Sequence, residues 1–166
     1  METIRNHQKP SMSKARTTDA SPLEAHLGFW LRFVSNHVSL RFQQLLEAQG
    51  VTVTEWVALR TLLAQGEGSH ASLIDALGMT KGAASKVISR LEEKGLAQRQ
   101  RAEGSGREQQ LVLTAKGRAL VPRLAKLADA NDEHFFGHLP ASEREALVAA
   151  MQALVQHHQL KQIPSQ

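Results

Sequence analysis

Apolar residues recur at intervals of three and four positions near both ends of the chain, and this spacing predicts helices that each have one apolar face. The first helix is predicted over residues 23–49, where the recurring positions are Leu27, Leu31, Val34, Val38, Phe42 and Leu45. Two more helices are predicted over residues 115–136 and about 142–160, the latter opening with a capping box formed by Ser142 and Glu145. One small domain cannot cover all of these apolar stripes, which favours a homodimer.

The middle of the chain, residues 54–113, predicts three shorter helices followed by a β-hairpin. Residues 52–55 read T-x-x-E, a capping box that starts the first of these helices. Thr80 is the expected N-cap of the third helix, which extends to about Lys94 and has an apolar stripe on one side. Two short strands flank the glycine-containing loop 102–108. The predicted fold class is therefore mainly α with a small β-hairpin wing, a winged helix-turn-helix flanked by long helices.

Positive charge is concentrated in the second half of this unit. The chain of 166 residues has a net charge of +4. Residues 81–107 alone account for that excess, because seven basic residues there outnumber three acidic ones. The basic residues are Lys81, Lys86, Arg90, Lys94, Arg99, Arg101 and Arg107. Such clustering is typical of proteins that bind nucleic acid, here double-stranded DNA.

The outer face of the helix predicted over residues 80–94 has the residue types that contact DNA. These candidates are Thr80, Lys81, Gly82, Ala83, Ser85, Lys86, Ser89 and Arg90. Lysine and arginine pair with phosphates or guanine edges, serine bonds bases or phosphates at short range, and small residues let the backbone approach. The amides of a helix N-terminus also favour phosphate. Arg107, at the tip of the hairpin loop, is a candidate for the minor groove.

Composition and missing motifs argue against other classes of protein. The chain has no cysteine, which excludes disulfides and thiolate metal sites. No run approaches about 20 apolar residues, so we expect no membrane segment and a cytoplasmic location. No phosphate-binding glycine loop, G-x-S-x-G or H-E-x-x-H motif occurs, so we expect neither an enzyme nor a cofactor. Residues 1–22 are expected to form a disordered arm and residues 161–166 a tail.

Four blocks of the sequence resemble the MarR family of bacterial winged-helix regulators. They read VTVTEW (51–56), LGMTKGAASK (77–86), LEEKGL (91–96) and LVLTAKG (111–117). The resemblance implies a repressor with a DNA-binding region at 51–113 and dimerisation helices at 23–50 and 114–160. It also implies a recognition helix that starts at Thr80, a DNA-contacting wing and a pseudo-palindromic operator. The family wing usually has an aspartate before its arginine, where this chain has a glycine before Arg107.

The resemblance further implies a small effector, often phenolic or anionic, bound between the dimer helices and the winged region. The candidate residues are His37, Arg41, Trp56 and Arg60. Two alternatives stay open. A metal-responsive regulator would use His134 with His138, or His157 with His158, although an expected helix end at Gly137 and diverging adjacent side chains argue against both pairs. A winged helix can also serve protein contacts alone, which the concentrated charge disfavours.

Overall fold

The computed structural model describes residues 20–66, 70–101 and 109–160. Over these residues the chain forms six α-helices and one antiparallel hairpin, which confirms the predicted fold class. The elements are α1 Leu27–Glu47, α2 Val53–Gln65, α3 His70–Leu77, α4 Lys81–Glu93, β1 Ala97–Arg101, β2 Gln109–Leu113, α5 Ala115–Phe136 and α6 Ala141–His157. The predicted arm (1–22) therefore lies almost wholly outside the described residues, as do the predicted tail (161–166) and the wing loop (102–108).

The N-terminal helix is shorter than predicted. Leu23–Ala25 forms a single 3-10 turn, and His26 then adopts an extended backbone before α1 begins. The turn closes on itself, because the N–H of Ala25 donates to the Pro22 carbonyl at 3.0 Å. The apolar periodicity itself begins at Leu27, where α1 begins, so the predicted helix of 23–49 was drawn four residues too far toward the N-terminus.

The start of α6 also differs from the prediction. The helix begins at Ala141, with Pro140 at the N-cap and no side-chain cap hydrogen bond. The Pro140 carbonyl accepts the backbone N–H groups of Glu143 and Arg144 at 3.0 and 3.1 Å. Ser142 consequently lies inside the first turn, and the predicted Ser142–Glu145 capping box is wrong.

Helices α1 and α4 end in the same kind of glycine turn, which also ends α3 at Gly78. Gly50 follows α1 with φ +70°, and Gly95 follows α4 with φ +65°. In both turns the N–H after the glycine donates to a carbonyl five positions back, at 3.1 Å for Val51 and 2.8 Å for Leu96. These are Schellman motifs, in which a glycine in the left-handed conformation ends the helix.

The core is built by α2, α3, α4, the hairpin and the facing parts of α1 and α5. Its largest fully buried side chains include Leu46, Leu59, Leu62, Leu73, Ile88, Leu91, Val121 and Leu124. The predicted inner stripe of α4 is confirmed, since Ala84, Val87, Ile88 and Leu91 are all buried. Helix α4 is thus anchored along one whole side.

The start of α5 closes the hairpin against the end of α4. Ala97 of β1 pairs with Leu113 of β2, and the Thr114 N–H then donates to the Leu96 carbonyl at 3.1 Å. Thr114 is the N-cap of α5, because its Oγ1 accepts the Gly117 N–H at 3.1 Å. Gly117 lies so close to the Leu96 carbonyl that a Cβ there would overlap its oxygen.

The two ends of the chain leave apolar side chains exposed. Helix α6 has no buried residue, although Leu147, Val148, Met151, Leu154 and Val155 lie along it. The N-terminal half of α1 likewise exposes Leu27, Trp30, Leu31, Phe33 and Val34. Within the described ranges, no helix is both long and apolar enough to cross a membrane.

Candidate nucleic-acid interface

The turn before α4 fixes where this helix begins. Gly78 adopts φ +58°, a left-handed conformation that glycine accepts without strain, and reverses the chain after α3. Thr80 then caps α4, with its Oγ1 accepting the Ala83 N–H at 3.3 Å. The predicted N-cap is therefore confirmed.

The face of α4 opposite its buried stripe is exposed, as the sequence predicted. The exposed candidates are Thr80, Lys81, Gly82, Lys86, Ser89 and Arg90, and Ala83 and Ser85 are partly exposed. Ser85 Oγ donates to the Lys81 carbonyl at 2.9 Å, so this hydroxyl is already engaged with the backbone of its own helix. All eight candidates are thus at least partly exposed, and none belongs to the buried stripe of α4.

Glu93 belongs to the same face and was missed by sequence reasoning. It lines a shallow open groove on α4 together with Ser85, Lys86, Ser89 and Arg90. Its spacing of three from Arg90 and four from Ser89 is the signal that could have found it. A carboxylate at this point repels phosphate but can accept a hydrogen bond from a cytosine amino group.

The wing is connected to α4 by an ion pair. Arg99 of β1 lies 3.1 Å from Glu92, measured between Nη1 and Oε2, and both side chains are partly exposed. Exposed pairs of this kind contribute about 1 kcal/mol or less to stability, so the pair orients the strand more than it stabilises the fold. Arg107, the predicted minor-groove residue, lies outside the described residues.

The four predicted effector residues make different local contacts and do not form one cluster. The Arg60 guanidinium lies 5.5 Å from the centroid of the Trp56 ring, a cation–π geometry. Arg41 donates from Nη1 to Oδ1 of Asn131 at 3.0 Å, and exposed His37 bonds a carbonyl of its own helix at 2.7 Å. Trp56 and Arg60 are therefore brought together, and no described hydrogen bond or ring contact joins His37 or Arg41 to them.

Asn131 is a further polar residue that the sequence did not single out. It is 3% exposed in the C-terminal third of α5 and joins that helix to α1. Its Nδ2 donates to the Val38 carbonyl at 3.2 Å while its Oδ1 accepts from Arg41. Its neighbours in the sequence include Asp129 and Asp132, so a polar residue here gives no signal, and only the packed structure reveals its role in joining the helices.

The two histidine pairs of the metal alternative lie in α5 and just beyond it, and at the end of α6. Helix α5 ends at Phe136 with Gly137 as its C-cap, so His138 lies beyond the helix, as expected. The rings of His157 and His158 lie 4.8 Å apart and edge-on, so the prediction that they diverge is wrong. Nowhere among the described residues do three or more metal-ligating side chains converge.

Comparison with known proteins identifies the family. The sequence model of the MarR family matches residues 49–108. The HTH-type transcriptional repressor Rv2887 of Mycobacterium tuberculosis is 31% identical over 132 residues, which cover 79% of this chain and 94% of the repressor. The chain belongs to the MarR family. It is accordingly a DNA-binding transcriptional regulator and not an enzyme.

Solved structures of MarR family proteins agree with this fold. BpsR of Bordetella bronchiseptica, whose DNA binding is regulated by 6-hydroxynicotinic acid, superposes with a TM-score of 0.69 at 26% identity over 81% of this chain and 96% of its own. Rv2887 in complex with salicylic acid superposes with a TM-score of 0.62 at 31% identity over 82% and 98%. The MarR winged helix is thus the architecture of this chain.

Proposed function

We propose that this protein is a homodimeric repressor that binds a pseudo-palindromic operator through α4 and the wing, and that a small aromatic anion releases it. The observation that carries the proposal is the division of α4 into a buried apolar face and an exposed cationic face. A helix anchored on one side and cationic on the other can enter the major groove, which is about 12 Å wide. Its place of action is the cytoplasm, where a bacterial chromosome lies.

Each part of α4 has a distinct role in this proposal. Lys81, Lys86 and Arg90 pair with phosphates or with guanine edges. Gly82 and Ala83 keep the first turn close to the DNA, where the amides of the helix N-terminus also favour phosphate. Ser85 and Ser89 lie at the centre of the face, and Arg107 of the wing enters the minor groove.

The proposed dimer is formed by the two ends of the chain, residues 23–50 and 114–160, with the DNA-binding region 51–113 between them. Helix α6 buries none of its own residues, whereas most of the stability of helices in proteins comes from packing of an apolar face against other elements. A second copy with the same exposed stripes on α1 and α6 can cover both. Two-fold pairing of this kind presents two α4 helices to successive major grooves about 34 Å apart.

A salt titration on selected genomic fragments tests the DNA-binding part. The protein is bound to a fragment pool, the recovered fragments are sequenced, and affinity for the enriched site is measured at several salt concentrations. We expect an inverted repeat and a log–log slope of about −5, since six α4 cations in a dimer each contribute about −0.9. Absence of any enriched repeat at low salt contradicts the proposal.

Charge variants locate the interface on α4. Lys86→Met is expected to weaken operator binding and to make the slope shallower by about 2, because a dimer loses two phosphate contacts. The matched control is Lys126→Met, which removes an exposed lysine from α5. Equal salt slopes for the two variants would place the DNA elsewhere on the protein.

The proposed effector is a hydroxylated aromatic carboxylate. The DNA binding of BpsR is regulated by 6-hydroxynicotinic acid, and Rv2887 was solved in complex with salicylic acid. Both compounds belong to this class. Arg60, held over the Trp56 ring, offers a cation beside an aromatic surface. Arg41 and His37 on α1 are the further candidates, and binding there would favour a recognition-helix spacing that does not fit the operator.

Operator release by these two acids tests the effector part. We expect Arg60→Met to raise the concentration of acid needed for half-release by about tenfold, because a charge-assisted hydrogen bond contributes about 1.5–3 kcal/mol. Arg123→Met, which removes an exposed arginine of α5, is the matched control and should leave that concentration unchanged. If neither acid releases the operator from wild-type protein at millimolar concentration, this effector class is rejected.

A further inference from the structure

One lysine side chain connects the end of α1 with the end of α4. Lys94 Nζ lies 2.7 Å from each carboxylate oxygen of Glu55 and donates to the Gly50 carbonyl at 2.9 Å. Gly50 belongs to the glycine turn that ends α1, and Lys94 directly precedes the glycine that ends α4. A cation placed between two helix C-termini is also favoured by both helix dipoles.

The carboxylate partner of this lysine is fully buried and already part of a cap. Glu55 is 0% exposed, and its Oε2 accepts the Thr52 N–H at 2.8 Å in the capping box of α2. Removal of the ammonium group would leave a buried carboxylate with its charge uncompensated, which is strongly unfavourable. The position of the Lys94 side chain is therefore tightly determined by the start of α2.

The backbone of the same turn is held by α5. The Lys94 carbonyl accepts from Lys116 Nζ at 2.8 Å, and the Gly95 carbonyl accepts from Thr114 Oγ1 at 2.7 Å. The end of α4 thus contacts α1, α2 and α5 through polar groups that leave little freedom of movement. Helices α1 and α5 belong to the proposed dimerisation regions, whereas α4 is the proposed reading helix.

We propose that the Glu55–Lys94 pair is a positioning element for DNA recognition, which sets the placement of α4 relative to the dimerisation helices. The inference rests on the proposed operator binding. Lys94 lies in the basic segment of the sequence, but the structure directs its ammonium group to Glu55 and Gly50 and not to DNA. Loss of the pair lets the C-terminal end of α4 shift, so base contacts weaken while phosphate neutralisation stays.

The test compares Lys94→Met with Lys86→Met on the operator and on a scrambled duplex of equal length, using full-length protein at a temperature where circular dichroism shows both variants folded. The fraction of each protein that is able to bind DNA is first measured by stoichiometric titration with the operator. For Lys94→Met we expect operator affinity to fall about tenfold or more, the equivalent of one lost base contact, with scrambled-duplex affinity and salt slope unchanged. Lys86→Met should weaken both duplexes and reduce the slope.

Other outcomes overturn the inference in distinguishable ways. A slope that falls for Lys94→Met as it does for Lys86→Met makes Lys94 a phosphate contact. Unchanged operator affinity at equal active fraction makes the pair a stabilising contact only. If Lys94→Met does not fold, Glu55→Gln replaces it, because a glutamine can retain the Thr52 hydrogen bond while removing the charge. Wild-type protein that binds both duplexes equally rejects the proposed function itself.

Discussion

Gly117 gives the sharpest stability prediction, because the space for a side chain there is already occupied. An added Cβ would overlap the Leu96 carbonyl oxygen, and would lie 3.0 Å from the carbonyl carbon and 3.3 Å from Leu113 Cδ2. The carbonyl cannot rotate away, since it accepts the Thr114 N–H and continues into β1. Gly117→Ala therefore requires α5 to move away from the end of α4.

The expected loss follows from two opposing contributions. Overpacking of a well-packed site costs about 1–3 kcal/mol, and a backbone obstacle puts this case at the upper end. Alanine is favoured over glycine in a helix by about 1 kcal/mol, which offsets part of that loss. The net destabilisation is thus about 2 kcal/mol, or roughly 4–8 °C in Tm for a chain of this size.

Gly82→Ala is the matched control, since it makes the same substitution in a helix where nothing lies within 4 Å of the added Cβ. We expect it to raise stability by about 0.5–1 kcal/mol, the helix-propensity gain alone. Urea unfolding at a fixed protein concentration measures both variants, because the stability of a dimer depends on concentration. Equal or higher stability of Gly117→Ala than of Gly82→Ala would refute the steric argument.

Three further variants test other parts of the structure. Thr80→Ala removes the cap of α4 and should lower stability by about 1 kcal/mol in urea unfolding, with faster amide exchange at the start of the helix. Asn131→Ala leaves the Val38 carbonyl without its side-chain donor and should lower stability by about 1–3 kcal/mol by the same assay. Leu154→Glu on α6 should convert the proposed dimer to monomer in light scattering, whereas Gln156→Glu, two residues further along that helix, should not.

The two faces of α4 could be predicted because they depend only on local periodicity. A buried stripe at spacings of three and four defines the opposite face directly, whatever the rest of the chain does. The N-cap Thr80 at the start of α4 and Gly95 after its end are equally local signals. The exposure of the eight candidates could be predicted for the same reason, and all eight are at least partly exposed in the structure.

The Glu55–Lys94 pair could not be predicted in the same way. Its members lie 39 positions apart, and the capping box already gave Glu55 a sufficient role. Similarly, the start of α6 was misplaced because Pro140 and Ser142 are both acceptable near a helix N-terminus. Sequence signals compete locally at such points, and the packing of the whole chain decides between them.

The structure also changes the interpretation of the basic segment. Of the seven basic residues in 81–107, Lys94 is bound to Glu55 and Arg99 to Glu92, so these two charges are largely compensated within the protein. Lys81, Lys86 and Arg90 are the exposed basic residues of α4, and all three lie on its outer face. The net charge of +4 is therefore not spread evenly over the segment. In the proposed complex, the positive charge that meets DNA is concentrated along α4, and this concentration favours a defined docking orientation over diffuse attraction to any polyanion.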